Sequence, residues 1–389
     1  MKVMGIRSLV GLLVLLGMST AMAAAQGLTV SGVIESTITA GAGTGTLPNF
    51  FYGLEEYANL RVQGKLREGL SFYSAFNLTA AAGIPAQGLD PQASPGLSAA
   101  SQNYVAAIEL ERLSFRLNRD YLDIDGGLMR IAAGYGQVFG PSDFLNPKNP
   151  LKPDARPRAV LGGTLSAYPK DSLKVQVFAS APKNPFALDG GGFLGGILGE
   201  THRDRASIQA LYAYQAPEEG SLRGIHRAGC SLKADVYLGL MADVLYTYTP
   251  QEDLGFSGLS ASAGVDYSFL DGHWYVLAEY LYNGSASSTS RESGNVSGFS
   301  GEQFLYGAIQ YLVNDYTRIT LACLSALSDA SFAPLLSAEH ELVQGFILSL
   351  SAQVPLDRDV FFNDGKQGEL GPRNTQERFL FRFKARLRF

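Results

Sequence analysis

The end of the chain alternates with a period of two. Phe379, Phe381, Phe383, Ala385, Leu387 and Phe389 are apolar, while Arg378, Arg382, Lys384, Arg386 and Arg388 stand between them. Only Leu380 breaks the polar row. A helix would scatter these charges around its circumference, whereas a strand puts them on one face. The same rhythm recurs along the chain. Leu28, Val30, Ile34 and Ile38 share one parity, as do Leu70, Phe72, Phe76 and Leu78, and Leu259, Ala261, Ala263, Val265, Tyr267 and Phe269. Sixteen strands are predicted, at 28–38, 55–66, 69–80, 103–117, 121–132, 158–168, 172–181 and 204–215, then 222–234, 239–249, 257–269, 273–283, 303–313, 317–328, 339–354 and 376–389. In 103–117 the apolar parity changes between Leu110 and Leu113, which a β-bulge repairs.

The connections alternate long and short over the first half: 39–54, 67–68, 81–102, 118–120, 133–157, 169–171, 182–203 and 216–221. Barrels of the outer membrane have short turns at one rim and long loops at the other. The rhythm fails beyond residue 222, where 235–238, 270–272 and 314–316 are short out of turn. A strand split or missed there would restore it, so 14 or 18 strands are the alternatives to 16. A sheet in lipid must close, because an open edge leaves backbone groups unpaired. The predicted fold is therefore all-β, a closed antiparallel transmembrane β-barrel. Each Arg or Lys facing mid-bilayer lipid costs roughly 2–4 kcal/mol, so the row Arg382, Lys384, Arg386 and Arg388 must face the lumen.

Composition agrees. Hydrophobic residues make up 46% and charged residues 17%, against about 25% in an ordinary soluble domain. Lys2 and Arg7, an apolar run from Leu9 to Met18, and the small residues Ala21, Ala23, Ala24 and Ala25 predict a cleaved signal peptide over 1–25. The barrel is then 26–389. The net charge of −5, or −7 without Lys2 and Arg7, argues against a nucleic-acid partner. Cys230 and Cys323 lie on apolar faces and read as small hydrophobic residues rather than a disulfide. His202, His226, His273 and His340 lack metal-ligand spacing, and no nucleophile is set beside His202 and Asp204. Neither an enzyme nor a cofactor is predicted. Gly190, Gly192 and Gly195 match the G-x-G-x-x-G pattern, but no strand–helix context surrounds them and the stretch reads as a loop.

The final strand, from Arg378 to Phe389, resembles the C-terminal signal of bacterial outer-membrane barrel proteins. That resemblance implies recognition of Phe379, Phe381, Phe383, Leu387 and Phe389 by the barrel-assembly machinery. Residues 129–147 resemble a segment of porin-like barrels through Arg130-Ile131, Gly134, Gly136, Phe139, Pro141, Asp143 and Asn146-Pro147. In general porins the third long loop folds inward and narrows the pore, which implies the same for 133–157, the alternative being a lid at the rim. The charges expected to line a channel are Arg61, Lys65, Arg130, Asp143, Lys148, Arg156, Asp266, Glu279, Arg382, Lys384 and Arg386. The basic row of the last strand either biases the pore towards anions or anchors that strand. The expected function is passive diffusion of small polar solutes through a wide lumen, with outer-membrane lipid around it and self-association left open. A substrate-specific transporter, of hydrophobic compounds for instance, and an adhesive or structural barrel are the alternatives. The first strand follows within three residues of the cleavage site, which argues against an N-terminal hatch.

Overall fold

The computed structural model describes residues 26–43, 49–83, 96–100, 104–147, 157, 159–181, 192–217, 223–250, 255–284, 301–358, 368–372 and 377–389. The predicted signal peptide, Lys148 and Arg156 lie outside these residues. The first strands are β1 (Gln26–Gly43), β2 (Asn49–Arg67), β3 (Leu70–Gly83), β4 (Gly96–Ala100), β5 (Tyr104–Arg119), β6 (Leu122–Met129) and β7 (Val160–Lys170). They are followed by β8 (Leu173–Ala181), β9 (Leu194–Arg203), β10 (Ala206–Gln215), β11 (Ile225–Asp235), β12 (Gly239–Tyr248) and β13 (Leu259–Phe269). The remainder are β14 (Trp274–Asn283), β15 (Gln303–Asn314), β16 (Thr317–Ala326), β17 (Ser331–Val343), β18 (Phe346–Gln353) and β19 (Glu377–Arg388).

Every pairing is antiparallel, and β1 pairs with β19 as well as β2, which closes the sheet. Among the described residues the short β4 pairs with β5 alone, while β3 pairs β5 directly, so the ring itself has 18 strands. This corrects the count of 16. One missing strand is β9, read from sequence as part of a loop. Its inward residues Leu194 and Leu198 are as apolar as its outward Ile197, because residues 129–145 cover them. A strand apolar on both faces shows no period of two. The other is β17. The segment 339–354 joined its end to β18 across the Gln344-Gly345 turn, and a two-residue turn leaves Leu342 and Phe346 on the same parity. With both strands restored, 236–238, 270–273 and 315–316 fall on the same rim as the turn after β2. Both defects and their cure are a matter of parity.

The parity change in β5 is a bulge. Ala75 pairs with Arg112 and the next residue, Phe76, with Leu110, so Glu111 is extra. Strand β6 stops at Met129, three residues before the pattern predicts, and the chain then leaves the wall. Beyond that point β4 pairs with Val105 to Glu109 on β5.

Outward rows are apolar and exposed, as Ile34, Ile38, Leu54, Val177, Ile208, Leu321, Leu350 and Phe381 illustrate. Aromatic side chains gather towards both rims. Tyr267, Phe269, Trp274 and Tyr311 pack in succession near the turns, with centroids 6.1, 6.0 and 4.6 Å apart. Tyr212, Tyr214, Tyr248 and His226 cluster towards the loops, His226 lying 4.9 Å from Tyr214. Two such girdles around an apolar band characterise a transmembrane barrel. Cys230 and Cys323 are free and sit in outward rows.

Glu56 interrupts the outward row Phe50, Tyr52, Leu54, Ala58 and Leu60, and Ser36 on β1 donates to it at 2.5 Å. A lipid-facing carboxylate costs less than a lipid-facing Arg or Lys. Glu56→Leu is expected to stabilise the barrel by about 1–2 kcal/mol. Urea unfolding in lipid vesicles checks this, and a destabilised variant would contradict the outward assignment.

Candidate functional site

After Met129 the chain turns onto the polar face of the wall and runs along it. Ile131 packs among Val160, Phe178, Leu194, Leu198, Leu211, Ala213 and Leu245, side chains from β7 to β12. Gly134 N–H donates to Gln209 on β10 at 2.7 Å. The N–H groups of Tyr135 and Gly136 donate to the two oxygens of Asp243 on β12, at 3.0 and 3.1 Å. Those of Gln137, Val138 and Phe139 donate to Glu279 on β14, at 3.1, 3.0 and 2.8 Å. Five consecutive backbone donors thus end on two carboxylates that are 0% and 1% exposed. Each such charge-assisted bond contributes about 1.5–3 kcal/mol, so the pair is the principal anchor of the segment.

Two glycines make this approach feasible. Gly134 has a φ of +82°, and a Cβ there would press on the Asp243 carboxylate. A Cβ on Gly136 would overlap the carbonyl oxygen of Phe139. Side chains complete the attachment. Tyr135 donates to Glu200 on β9 at 2.7 Å, and burial followed by that bond raises its hydroxyl above the usual pKa range. Gln137 bridges Asp266 on β13, at 2.5 Å, and the Tyr275 hydroxyl on β14, at 3.0 Å. Past Gly140-Pro141 the chain doubles back. Ser142 meets Ser231 on β11, Phe144 lies 4.9 Å under the Arg227 guanidinium, and Asn146 accepts from Ile131 N–H at 3.0 Å.

A second cluster lies on the polar side of β14–β17. Phe139 and Leu370 pack with Leu281, Phe304, Leu324, Ala326 and Ala333. Residues 368–370 are tied down by N–H donation to Asp357, Asp329 and Ser331.

The sequence-predicted lining residues separate into three groups. Asp266 and Glu279 bind the segment, and Asp143 is 8% exposed within the segment's own turn, its N–H on Gly140. Arg61, Lys65, Arg382, Lys384 and Arg386 occupy the polar rows of β2 and β19, where Glu35 on β1 accepts from Arg386 at 2.6 Å and lies 4.0 Å from Lys384. Arg130 stands apart at the exit from β6, its guanidinium 3.1 Å from Glu111. Phe379, Phe381, Phe383, Leu387 and Phe389 form the outward row of the last strand, and Phe389 exchanges backbone bonds with Gly32 at 2.9 and 3.2 Å. Sequence reasoning missed Gln209, Glu200 and Glu111 and did not connect Asp243 to the segment. Asp243 and Glu200 carry a signal in principle, as carboxylates on the inward parity of otherwise apolar strands. Among the described residues no group of three His, Cys, Asp or Glu could hold a metal ion.

No protein-family model and no curated protein matches the chain. Solved structures do. OccK2 (OpdF) of Pseudomonas aeruginosa, solved in complex with glucuronate, superposes with a TM-score of 0.56 at 10% identity, over 93% of this chain and 98% of that one. OccAB1 of Acinetobacter baumannii gives 0.54 at 10% identity, over 94% and 97%. A triple-mutant porin of Rhodopseudomonas blastica gives 0.49 at 13% identity, over 93% and 100%. At such identities the likeness speaks for the fold alone, and that fold is the closed β-barrel of bacterial outer-membrane porins and channels.

Proposed function

We propose that the protein is an outer-membrane diffusion channel for small polar solutes, narrowed by the segment 130–147 and preferring anions. Eighteen strands enclose a lumen wide enough for water and solutes. The observation that carries the preference is the fate of the acidic side chains. Asp243 and Glu279 are engaged by five backbone N–H groups of the segment and Asp266 by Gln137, so they offer little charge to a passing ion. The polar rows of β19, β1 and β2 carry Arg378, Arg382, Lys384, Arg386, Arg388, Arg61 and Lys65 against Glu35 and Glu55. Positive charge therefore dominates the wall that the segment leaves open, and fixed charge along a pore sets its selectivity. In this reading Phe389 and its outward row serve as the handle for barrel assembly, after export directed by residues 1–25.

Purified protein in a planar bilayer tests the reading. Stable open-channel steps are expected, with a reversal potential under a salt gradient on the anion side. Arg382→Glu combined with Lys384→Glu is expected to invert that potential, lowering the anion-to-cation permeability ratio several-fold. A closed barrel with no conductance would sink the channel, and an unchanged potential in the variant would sink the role of the basic row.

A further inference from the structure

The apolar cluster that holds Phe139 and Leu370 has a geometry that anchoring of the segment alone does not require. Two cross-strand rows on the inner face of β14–β17 form its floor. One row is Leu281, Phe304, Ala326 and Ser331, and the next is Glu279, Tyr306, Leu324 and Ala333. On β14 the floor begins at an anchor of the segment, where Glu279 accepts the N–H of Phe139 at 2.8 Å. On β17 it ends at the anchor of a second inward element, where Ser331 Oγ accepts the N–H of Leu370 at 3.0 Å. Strands β14 and β17 stand three spacings apart, about 14 Å, with Phe304, Leu324 and Ala326 between them.

The second element is built as the first is. Leu356 exchanges backbone bonds with Phe332 at 2.8 and 2.9 Å, which sets the chain after β18 beside the start of β17. Gly368 N–H donates to Asp357 at 3.0 Å and Glu369 N–H to Asp329 at 2.6 Å, so here too consecutive backbone donors end on carboxylates. A Cβ on Gly368 would press on the Ser331 side chain, and one on Gly371 would overlap the Asp357 carboxylate. The turn therefore lies as close as bare backbone allows. Leu370 is 0% exposed and Phe139 3%. Each side chain standing alone on a wall that faces water would keep one flank wet. Both are dry because the two inward elements close over one shared floor, with Val138 packed against it.

We propose that Leu370 is a positioning residue of the constriction, locking the tip of the segment through Phe139, so that two inward elements rather than one set the width of the pore. The proposal rests on the channel reading for its effect on solutes. Asp243 and Glu279 hold the backbone of the segment to the wall, and Leu370 completes the apolar cluster that holds the Phe139 side chain on the floor. Loosening either element uncovers apolar surface of the other, so the two are energetically coupled.

Backbone hydrogen exchange of the full chain in detergent, read by mass spectrometry, tests the lock without requiring conductance. Leu370→Ala is expected to speed exchange over residues 137–139 at least fivefold, and Phe139→Ala to do the same over 368–370, each reaching across to the other element. Leu370→Met, which refills the space, is expected to keep the parental rates. Open-channel conductance in a planar bilayer then reads the width. Each alanine variant is expected to conduct at least 1.5-fold more than the parent, and the double variant no more than either, since losing one half of the lock loses all of it. Heat-modified gel mobility identifies variants that have not folded, and Leu370→Val is the second variant if Leu370→Ala is among them. Exchange that quickens only in the mutated element overturns the lock, as do parental conductance in folded single variants or conductance gains that multiply in the double one. Coupled exchange in a protein that conducts nothing overturns the channel instead and leaves the lock standing.

Discussion

Replacing Asp243 and Glu279 together by alanine is expected to free residues 133–140 from the wall while the barrel persists. The five N–H groups would lose their acceptors, and those of Gly136 and Phe139, which are buried, cost about 1–3 kcal/mol each when left unpaired. What remains is Gln209 on Gly134, Tyr135 on Glu200, Gln137 with its partners, the contacts of residues 142–146, and the packing of Ile131 and Phe139. The ring of strand pairings does not depend on either carboxylate. Limited proteolysis should therefore cut within 133–140 in the double variant and not in the parent, with gel mobility of the barrel retained. Open-channel current should become noisier and larger as the segment fluctuates. Glu279→Gln is expected to be milder, since one amide oxygen can keep the two bonds from Gln137 and Val138. A double variant as protease-resistant as the parent would show that packing, not charge, holds the segment.

The second large effect concerns the outward row. Phe381→Arg combined with Phe383→Arg is expected to prevent formation of a heat-resistant barrel. Both phenylalanines are outward, 48% and 43% exposed. Two arginines on the lipid face cost roughly 4–8 kcal/mol together, comparable to the stability of a whole domain. The same substitution on the polar face, Gln310→Arg on β15, is expected to change folding little because the guanidinium stays in water. Urea titration in lipid vesicles compares them. If the double variant folds as well as Gln310→Arg, the orientation of β19 is wrong.

How much of this was legible beforehand depends on which face of a strand had something to contrast with. Where one face met lipid and the other water, as in β13 or β19, alternation gave the strand, its orientation and the inward place of Arg382 and Lys384. Where the inner face was covered by other parts of the chain, as in β9 under Ile131, the contrast vanished and the strand was lost. The β17–β18 hairpin was lost differently, its two-residue turn leaving the parity intact. The bulge announced itself as a phase change between Leu110 and Leu113, yet nothing local said that Glu111 would meet Arg130 or that Asn59 would bridge it to Arg61.

By itself, then, the sequence determined a closed barrel, the outward aromatic rows and the peculiarity of 129–147, with its glycines and prolines. These follow from solvent on one side, lipid on the other, and short-range backbone geometry. Only the tertiary structure decided that Asp243 and Glu279, more than 100 residues away, receive the N–H groups of that segment. Closure of the ring brings such residues together, and a backbone N–H donates to whichever carboxylate the curved wall presents. The division of charge follows from the same closure. Acids and bases were mixed along the chain, and the wall against which the segment lies determines which of them remain facing the lumen.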